Sequence, residues 1–130
     1  MYYFAYASNL NQKQMKQRCP DSKPMFTATL PNYKLVFVGW SREWRGAKAT
    51  IKLTRGEKVI GAVYDCSELC MQKLDKFEST YNKLKVMVFN EDGDSVEAVT
   101  YIKSGQMDEG KPSAEYLSVI QQGYRDWNIV

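Results

Sequence analysis

The chain has 130 residues, of which 44% are hydrophobic and 13% aromatic, and this size and composition predict a single globular domain, 1–130, with one hydrophobic core. The formal net charge is only +3, and acidic residues are mixed among the basic ones, so neither nucleic acid nor an anionic membrane is indicated as a partner. Histidine is absent, which excludes Ser-His-Asp and Cys-His systems and leaves carboxylates, Tyr, Lys, Cys and backbone amides as catalytic groups.

The N-terminal segment is predicted to be a strand followed by a loop and a helix. Residues 1–7 are aromatic and apolar, which suits a strand, and Ser8 and Asn9 interrupt this pattern before the helix-prone residues 12–18. The backbone N–H groups at such a helix start can bind a carboxylate or an oxyanion. On the local pattern alone the alternative is favoured, in which a buried strand is followed by residues that only cap the helix.

The next stretch contains prolines within residues 20–31, after which residues 33–40 and 49–53 have the composition of strands. The loop between them, residues 39–46, is rich in Trp, Arg and Gly and is a candidate functional segment. Its residues 40–45 also allow an interaction module, but without a wider basic patch they are weak evidence for nucleic-acid binding.

The middle of the chain is predicted to form a further strand and a helix. A turn at residues 54–57 precedes a strand at 59–65. Ser67 is a suitable cap for a helix over residues 68–79.

Two strands and a helix complete the predicted elements. Residues 85–90 and 96–103 flank an Asp-Gly turn within 91–94, which is a strong hairpin signal. Ser113 caps a final helix. The apolar stripe of this helix consists of Leu117, Ile120, Tyr124 and Trp127. Strands interleaved with helices predict a mixed, mostly antiparallel sheet or small barrel.

The three cysteines, Cys19, Cys66 and Cys70, are odd in number and follow no pattern of small secreted domains. The N-terminus lacks a leader pattern, and no apolar run approaches the roughly 20 residues of a membrane-spanning helix. We therefore expect a reduced, cytoplasmic protein outside the membrane, in which the cysteines are small core residues rather than metal ligands.

Glu78 is a candidate general acid/base. It follows Leu74 and Phe77 on the apolar face of the predicted helix, so its carboxyl should be partly removed from water. Desolvation raises the pKa of a carboxyl towards the range useful for proton transfer. Most helix-end glutamates are solvated, however, and Asp75 is equally arguable on spacing alone. Tyr116 lies off the stripe of the final helix and is therefore a candidate to point into a cleft, although tyrosines of this kind are usually packing residues.

Four separated segments resemble the γ-glutamylcyclotransferase family, including its AIG2-like members. Residues 3–10, Tyr-Phe-Ala-Tyr-Ala-Ser-Asn-Leu, resemble the family signature Tyr-Phe-Ala-Tyr-Gly-Ser-Asn-Leu, and residues 46–51 resemble its Gly-rich Ala-Thr-Ile strand. Residues 61–64, followed by 74–78, resemble a family strand and the Leu-Asp-x-x-Glu helix end, while residues 112–116 resemble its Pro-Ser-x-x-Tyr helix. The segments are in the expected order and together span nearly the whole chain.

The resemblance implies an α+β fold, a small mixed, mostly antiparallel β-barrel with flanking helices. It implies an enzyme that cyclises a γ-glutamyl group to 5-oxoproline and releases an amine or amino acid, with Glu78 as general acid/base. No cofactor and no metal are implied, because the substrate's own α-amine attacks its γ-carbonyl; the implied partner is a small-molecule γ-glutamyl substrate, and a homodimer is compatible. The residues that the resemblance assigns to substrate binding are Tyr3, Phe4, Ala5, Tyr6, Ala7, Ser8 and Tyr116.

Ala7 departs from the family signature, which has glycine at this position. Glycine permits a positive φ and close ligand approach, whereas an alanine methyl adds bulk and costs about 1 kcal/mol or more in a left-handed conformation. The alternative function is therefore a non-catalytic family member that binds a γ-glutamyl-like small molecule.

Overall fold

The computed structural model describes residues 1–105 and 108–129. Five strands form a closed barrel in the order β1-β3-β2-β4-β5, and three helices lie against it. The strands are β1 (Tyr2–Ala5), β2 (Lys23–Ser41), β3 (Gly46–Asp65), β4 (Asn82–Asn90) and β5 (Ser95–Ile102), and the helices are α1 (Gln12–Arg18), α2 (Glu68–Phe77) and α3 (Ala114–Asp126). The predicted α+β class and the mixed, mostly antiparallel barrel are confirmed.

The short strand β1 closes the barrel. It pairs antiparallel with β3 on one side and parallel with β5 on the other, where Tyr3 is opposite Val99. Alternate β1 side chains point to different parts of the core, as the pleat of a strand requires. Phe4 packs inside the barrel, whereas Tyr3 and Ala5 pack in the cluster that also contains residues of α1 and α2.

The strands β2 and β3 are longer than the sequence pattern predicts, with 19 and 20 residues. The prolines Pro24 and Pro31 lie within β2 beside register shifts, where a strand tolerates a missing N–H group. Residues 54–57 were predicted to be a turn between two strands, but they form a bulge within β3 opposite Asn32 alone. Asn32 has a φ of 65°, and its side chain accepts a hydrogen bond from the Gly56 N–H.

Side-chain caps fix the starts of all three helices. Asn11 accepts the Gln14 N–H at the start of α1, and the predicted caps Ser67 and Ser113 do the same for α2 and α3. The helix α2 ends at Phe77, two residues before the predicted end, because the backbone turns out of the helix at the following residue. No helix in the described part of the chain has the length and apolar character needed to cross a membrane.

The side chains of Cys19, at the end of α1, and Cys70, in α2, meet with their two Cα atoms 5.2 Å apart. The sequence pattern could not show this contact, because the two cysteines are 51 residues apart and meet only when the helices pack together. That the cysteines are reduced stays a prediction. Cys66 is a buried free thiol beside them.

The helix α3 packs directly on the segment that follows β1, a 3-10 turn over Ser8–Leu10. Gly123 permits this contact, because a Cβ atom there would lie 2.6 Å from both the Asn11 nitrogen and the Leu10 Cβ. Three hydrogen bonds join α3 and its C-cap to residues 10–12, at the end of this turn and the start of α1. Trp127 Nε1 donates to the Leu10 carbonyl. Asp126 accepts the Gln12 N–H, and the Val119 carbonyl accepts from Asn11 Nδ2.

We expect the Gly123→Ala variant to lower the free energy of unfolding by about 2 kcal/mol, although alanine favours a helix interior over glycine by about 1 kcal/mol. The added methyl would meet backbone atoms that cannot move aside. Urea unfolding measures the change. The matched control is Ser118→Ala, an exposed position in the same helix, which should stay within about 0.5 kcal/mol of wild type. A Gly123→Ala protein as stable as wild type would contradict the close contact.

Candidate active site

A pocket lies where β1 runs into the 3-10 turn, and it is bounded by segments from both ends of the chain. The β2–β3 connection, the end of α2 and one residue of α3 complete its walls. The residues that line it are Tyr3, Tyr6, Ala7, Ser8, Asn9, Arg18, Trp44, Lys48, Ala49, Glu78, Tyr81, Tyr101 and Tyr116. The structure thus brings together most of the residues that the resemblance assigns to the site.

Two of the assigned residues, Phe4 and Ala5, do not line this pocket. Both side chains are fully buried in the core. Phe4 contributes its backbone carbonyl to a hydrogen bond donated by the Thr100 hydroxyl at 2.7 Å. Their place in the fold is the closure of the barrel, which sets the position of the pocket residues that follow.

Glu78 places a carboxyl in the pocket. It is the C-cap of α2, where its N–H donates to the Leu74 carbonyl, and its side chain is only 12% exposed. Burial raises the pKa of Glu78, and the nearby cations of Lys48 and Arg18 oppose this shift without cancelling it. A carboxyl in this environment can both take up and release a proton closer to neutral pH than a solvated glutamate can.

Asp75, the alternative on spacing, is held away from the pocket. Its carboxylate accepts a hydrogen bond from the Tyr101 hydroxyl at 2.6 Å and forms an ion pair with Lys83 at 3.1 Å. The side chain is 40% exposed. Of these two acids, Glu78 is the one that the fold presents to the pocket.

Arg18 is a pocket residue that the sequence analysis did not single out. Its guanidinium is 10% exposed, lies 3.6 Å from the Glu78 carboxylate and donates to Asn9 Oδ1 at 3.2 Å. Asn9 in turn donates to the Tyr3 hydroxyl at 2.9 Å. Arg18 therefore connects the carboxyl to the 3-10 turn. In the sequence it is one of several basic residues on a short polar helix, and only its position after the signature segment could have indicated a role.

Tyr116 belongs to the buried face of α3 together with Ile120 and Gly123, so it packs in the core as tyrosines at such positions usually do. It is 2% exposed, yet its edge reaches the pocket, and its hydroxyl accepts the Ala49 N–H at 3.0 Å. Trp44, from the candidate loop 39–46, packs on the Tyr116 ring and also lines the pocket.

The remaining candidate in loop 39–46, Trp40, is 71% exposed and does not line the pocket. The pocket walls contain several tyrosine hydroxyls instead. Burial raises the pKa of Tyr116 to about 12 and also raises the pKa values of Tyr3, Tyr6, Tyr81 and Tyr101. These hydroxyls therefore stay protonated at neutral pH and remain neutral hydrogen-bonding groups.

The backbone at Ala7 has a φ of −137°, outside the left-handed region, so the left-handed strain considered for this residue does not arise. Its methyl group remains part of the pocket wall. The next two residues, Ser8 and Asn9, begin the 3-10 turn, and their N–H groups have no acceptor within that turn. They are available to an anion or an oxyanion in the pocket.

The side chains of Cys19, Cys66 and Cys70 form a group that could hold a metal, with ligand atoms within 4.8 Å of one another. The side chains of Cys19 and Cys70 contact each other directly, and burial raises the pKa of the Cys66 thiol to about 12. A metal needs deprotonated thiolates, which this arrangement disfavours. The group also lies apart from the residues that line the pocket.

The pocket thus combines one buried carboxyl, several protonated tyrosine hydroxyls and a 3-10 turn at the end of a barrel strand. The chain belongs to the family described as gamma-glutamyl cyclotransferase, AIG2-like, whose model matches residues 3–127. A gamma-glutamylcyclotransferase from Homo sapiens is 28% identical over 132 residues, which cover 95% of this chain and 70% of the relative. The Bos taurus protein of the same name is 30% identical with the same coverage.

A solved structure named gamma-glutamyl cyclotransferase has the same fold, with a TM-score of 0.95 at 26% identity. The match covers 99% of this chain and 80% of that one. A second solved structure, YkqA from Bacillus subtilis, matches with a TM-score of 0.81 at 23% identity, covering 98% of this chain and 49% of that one, and supports the fold alone. The family and the enzyme class expected from the sequence motifs are confirmed.

The burial of Glu78 predicts a stability cost that depends on pH. Because its pKa is higher in the folded chain than in the unfolded one, the unfolded state ionises first, and stability falls as pH rises through this range. We expect Glu78→Gln, which cannot ionise, to be more stable than wild type near neutral pH. The difference should vanish below the ordinary glutamate pKa of about 4.3.

Urea unfolding across this pH range measures the effect, with Glu97→Gln, at an exposed position in β5, as the matched control. The control should not gain stability at neutral pH. A Glu78→Gln protein that is less stable than wild type at neutral pH would show that the ion pair with Arg18 outweighs the cost of burying the carboxyl.

Proposed function

We propose that this chain is a γ-glutamylcyclotransferase, which cyclises a γ-glutamyl group to 5-oxoproline and releases an amine or amino acid. The observation that carries the proposal is the position of Glu78, a buried carboxyl in the same pocket as the signature residues after β1. The reaction needs no protein nucleophile, because the substrate's own α-amine attacks its γ-carbonyl and closes a five-membered ring. A site without histidine is sufficient for this chemistry.

Glu78 acts first as a base and then as an acid in this proposal. It takes a proton from the α-ammonium group, which makes the nitrogen nucleophilic, and later delivers a proton to the departing nitrogen. The raised pKa of Glu78 supports both steps, since the carboxyl must change its protonation state twice in each turnover. Arg18, at 3.6 Å, limits the rise in pKa and so keeps part of the population ionised.

The 3-10 turn supports the other half of the reaction. The free N–H groups of Ser8 and Asn9 are suited to negative charge, either on the substrate carboxylate or on the oxygen of the tetrahedral intermediate. Tyr3, Tyr6, Ala7 and Tyr116 form the surrounding walls in the proposed substrate site. A cytoplasmic location and a homodimer remain predictions, which cell fractionation and size-exclusion chromatography can test.

We expect Glu78→Gln to reduce 5-oxoproline release by about 10²-fold or more, the usual contribution of general acid/base catalysis, while substrate binding is retained. Mass spectrometry of 5-oxoproline after incubation with a panel of γ-glutamyl amino acids and amines measures turnover. Asp75→Asn, on the same helix, tests the other acid and should keep most of the activity. Substantial turnover by Glu78→Gln would refute its role.

The alternative, a binding protein without turnover, is favoured by one observation, the Ala7 methyl in the pocket wall. The Ala7→Gly variant removes it. We expect a several-fold increase in kcat/KM on γ-glutamyl dipeptides, because the pocket gains room without losing any hydrogen-bonding group. Unchanged kinetics would show that the methyl does not restrict the substrate, and a wild-type protein that binds the panel but releases no 5-oxoproline would support the binding function.

A further inference from the structure

Tyr81 joins the turn that follows α2 to the barrel strand β3. Its N–H donates to the Glu78 carbonyl at 2.9 Å, which closes the turn over residues 78–81. Its hydroxyl donates to the Ala49 carbonyl of β3 at 2.5 Å. The two residues in between, 79–80, are exposed. Tyr81 thus reaches from the turn to the pocket wall, where both it and Ala49 line the pocket.

Two cations hold the Tyr81 ring from its faces. The Lys48 Nζ atom lies 4.9 Å from the ring centroid, and the Lys103 Nζ atom lies 5.0 Å from it. Both distances are within the range of a cation–π interaction. Lys103 also donates to the Thr80 hydroxyl at 3.3 Å, an exposed contact with the same turn. The ring, the hydroxyl and the N–H of Tyr81 are therefore all engaged.

Ala49 gives this contact a firm base. It is 2% exposed and pairs with Phe37 in the β2–β3 ladder. Tyrosine hydroxyls satisfy both of its backbone polar groups, since its N–H donates to Tyr116 at 3.0 Å and its carbonyl accepts from Tyr81. A buried carbonyl without a partner is costly, so the fold favours the position of Tyr81 that fills this need.

Glu78 is the residue whose position depends on this turn. Its N–H donates to the Leu74 carbonyl at 2.8 Å and its own carbonyl accepts from Tyr81, so its backbone is held on both sides. The charged groups that face its carboxyl come from α1, the β2–β3 connection, β3 and the end of β5, and they are Arg18, Glu43, Lys48 and Lys103. Because each of these interactions depends on distance, a shift of the turn changes all of them together.

We propose that Tyr81 is a positioning residue for the reaction: its hydroxyl holds the turn after α2 against β3 and thereby keeps the Glu78 carboxyl at the pocket. The effect on turnover rests on the proposed function, whereas the effect on the Glu78 carboxyl does not. Tyr81 acts through Glu78 in this proposal and needs no contact with the substrate.

The Tyr81→Phe variant tests the proposal because it removes only the hydroxyl and keeps the ring, its lysine contacts and its N–H. Water can bond to the Ala49 carbonyl in place of the hydroxyl, so we expect the variant to fold, which urea unfolding checks. We expect kcat to fall about tenfold or more, because a small displacement of a catalytic group has a large effect on rate. KM should change by less than about threefold, since a positioning residue contributes little to uniform binding.

The pH dependence separates positioning from a merely structural role. A looser turn admits water to the Glu78 carboxyl, so the pKa of Glu78 should fall towards its ordinary value. The rising limb of the pH profile of kcat/KM should then move to lower pH. Carbon-13 NMR titration of the side-chain carboxyl measures the same pKa directly, with the Glu78→Gln spectrum as the assignment.

Two Tyr→Phe controls match this variant. Tyr116→Phe removes the other hydroxyl at Ala49, from a different element, and should leave the pKa of Glu78 in place whatever its effect on KM. Tyr33→Phe, in β2 and outside the pocket, should change neither kcat nor this pKa.

An unchanged Glu78 pKa in folded Tyr81→Phe would overturn the inference whatever the kcat, and a loss of stability alone would then assign Tyr81 a structural role. A rise in KM at unchanged kcat would also overturn it, in favour of direct contact between the hydroxyl and the substrate. If wild type releases no 5-oxoproline, the proposed function fails, and the NMR titration still tests whether Tyr81 holds Glu78 in place.

Discussion

The removal of the Glu78 carboxyl from water is the constraint on which the rest of the pocket depends. The helix α2 ends at Phe77, and the backbone leaves the helical conformation at Glu78. The Glu78 carboxyl therefore faces the same pocket as the residues that follow β1. Burial alone would leave the carboxyl protonated over a wide pH range. The cations around it, Lys48 and Arg18, favour the ionised form and so limit the rise in its pKa.

The barrel supplies the rigidity that this arrangement needs. β1 is only four residues long, yet it joins β3 to β5, and the chain leaves it directly into the 3-10 turn. The fully buried Phe4 and Ala5 thus act on the site through the backbone that they anchor. Residues in a signature motif can be required for two separate reasons, contact with the ligand or closure of the sheet, and this segment contains both.

The sequence predicted the features that depend on local chemistry. The caps at Ser67 and Ser113 and the Asp-Gly turn between β4 and β5 are short-range signals, and the structure contains all three. The position of Glu78 followed from its resemblance to a family motif, whereas its spacing could not distinguish it from Asp75. Packing between distant segments was not predictable in this way.

The unpredicted features share one physical cause. Arg18 and Lys48 are residue types typical of surfaces, and only the meeting of α1 and β3 makes them pocket residues. The contact between Cys19 and Cys70 likewise depends on helix packing. Sequence patterns indicate which face of one element is buried. The environment of a charged side chain, by contrast, depends on the other charges that the tertiary structure places near it.

The contact of α3 with the 3-10 turn has a consequence for how the protein is made. The turn that carries Ser8 and Asn9 is held by Gly123, Trp127 and their neighbours, which lie more than 100 residues further along the chain and are synthesised later. A nascent chain can pair its long β2–β3 hairpin early, because that contact is local along the sequence. The 3-10 turn, by contrast, reaches its final form only when α3 has left the ribosome and docked. An unfinished chain therefore has a barrel before it has an active site.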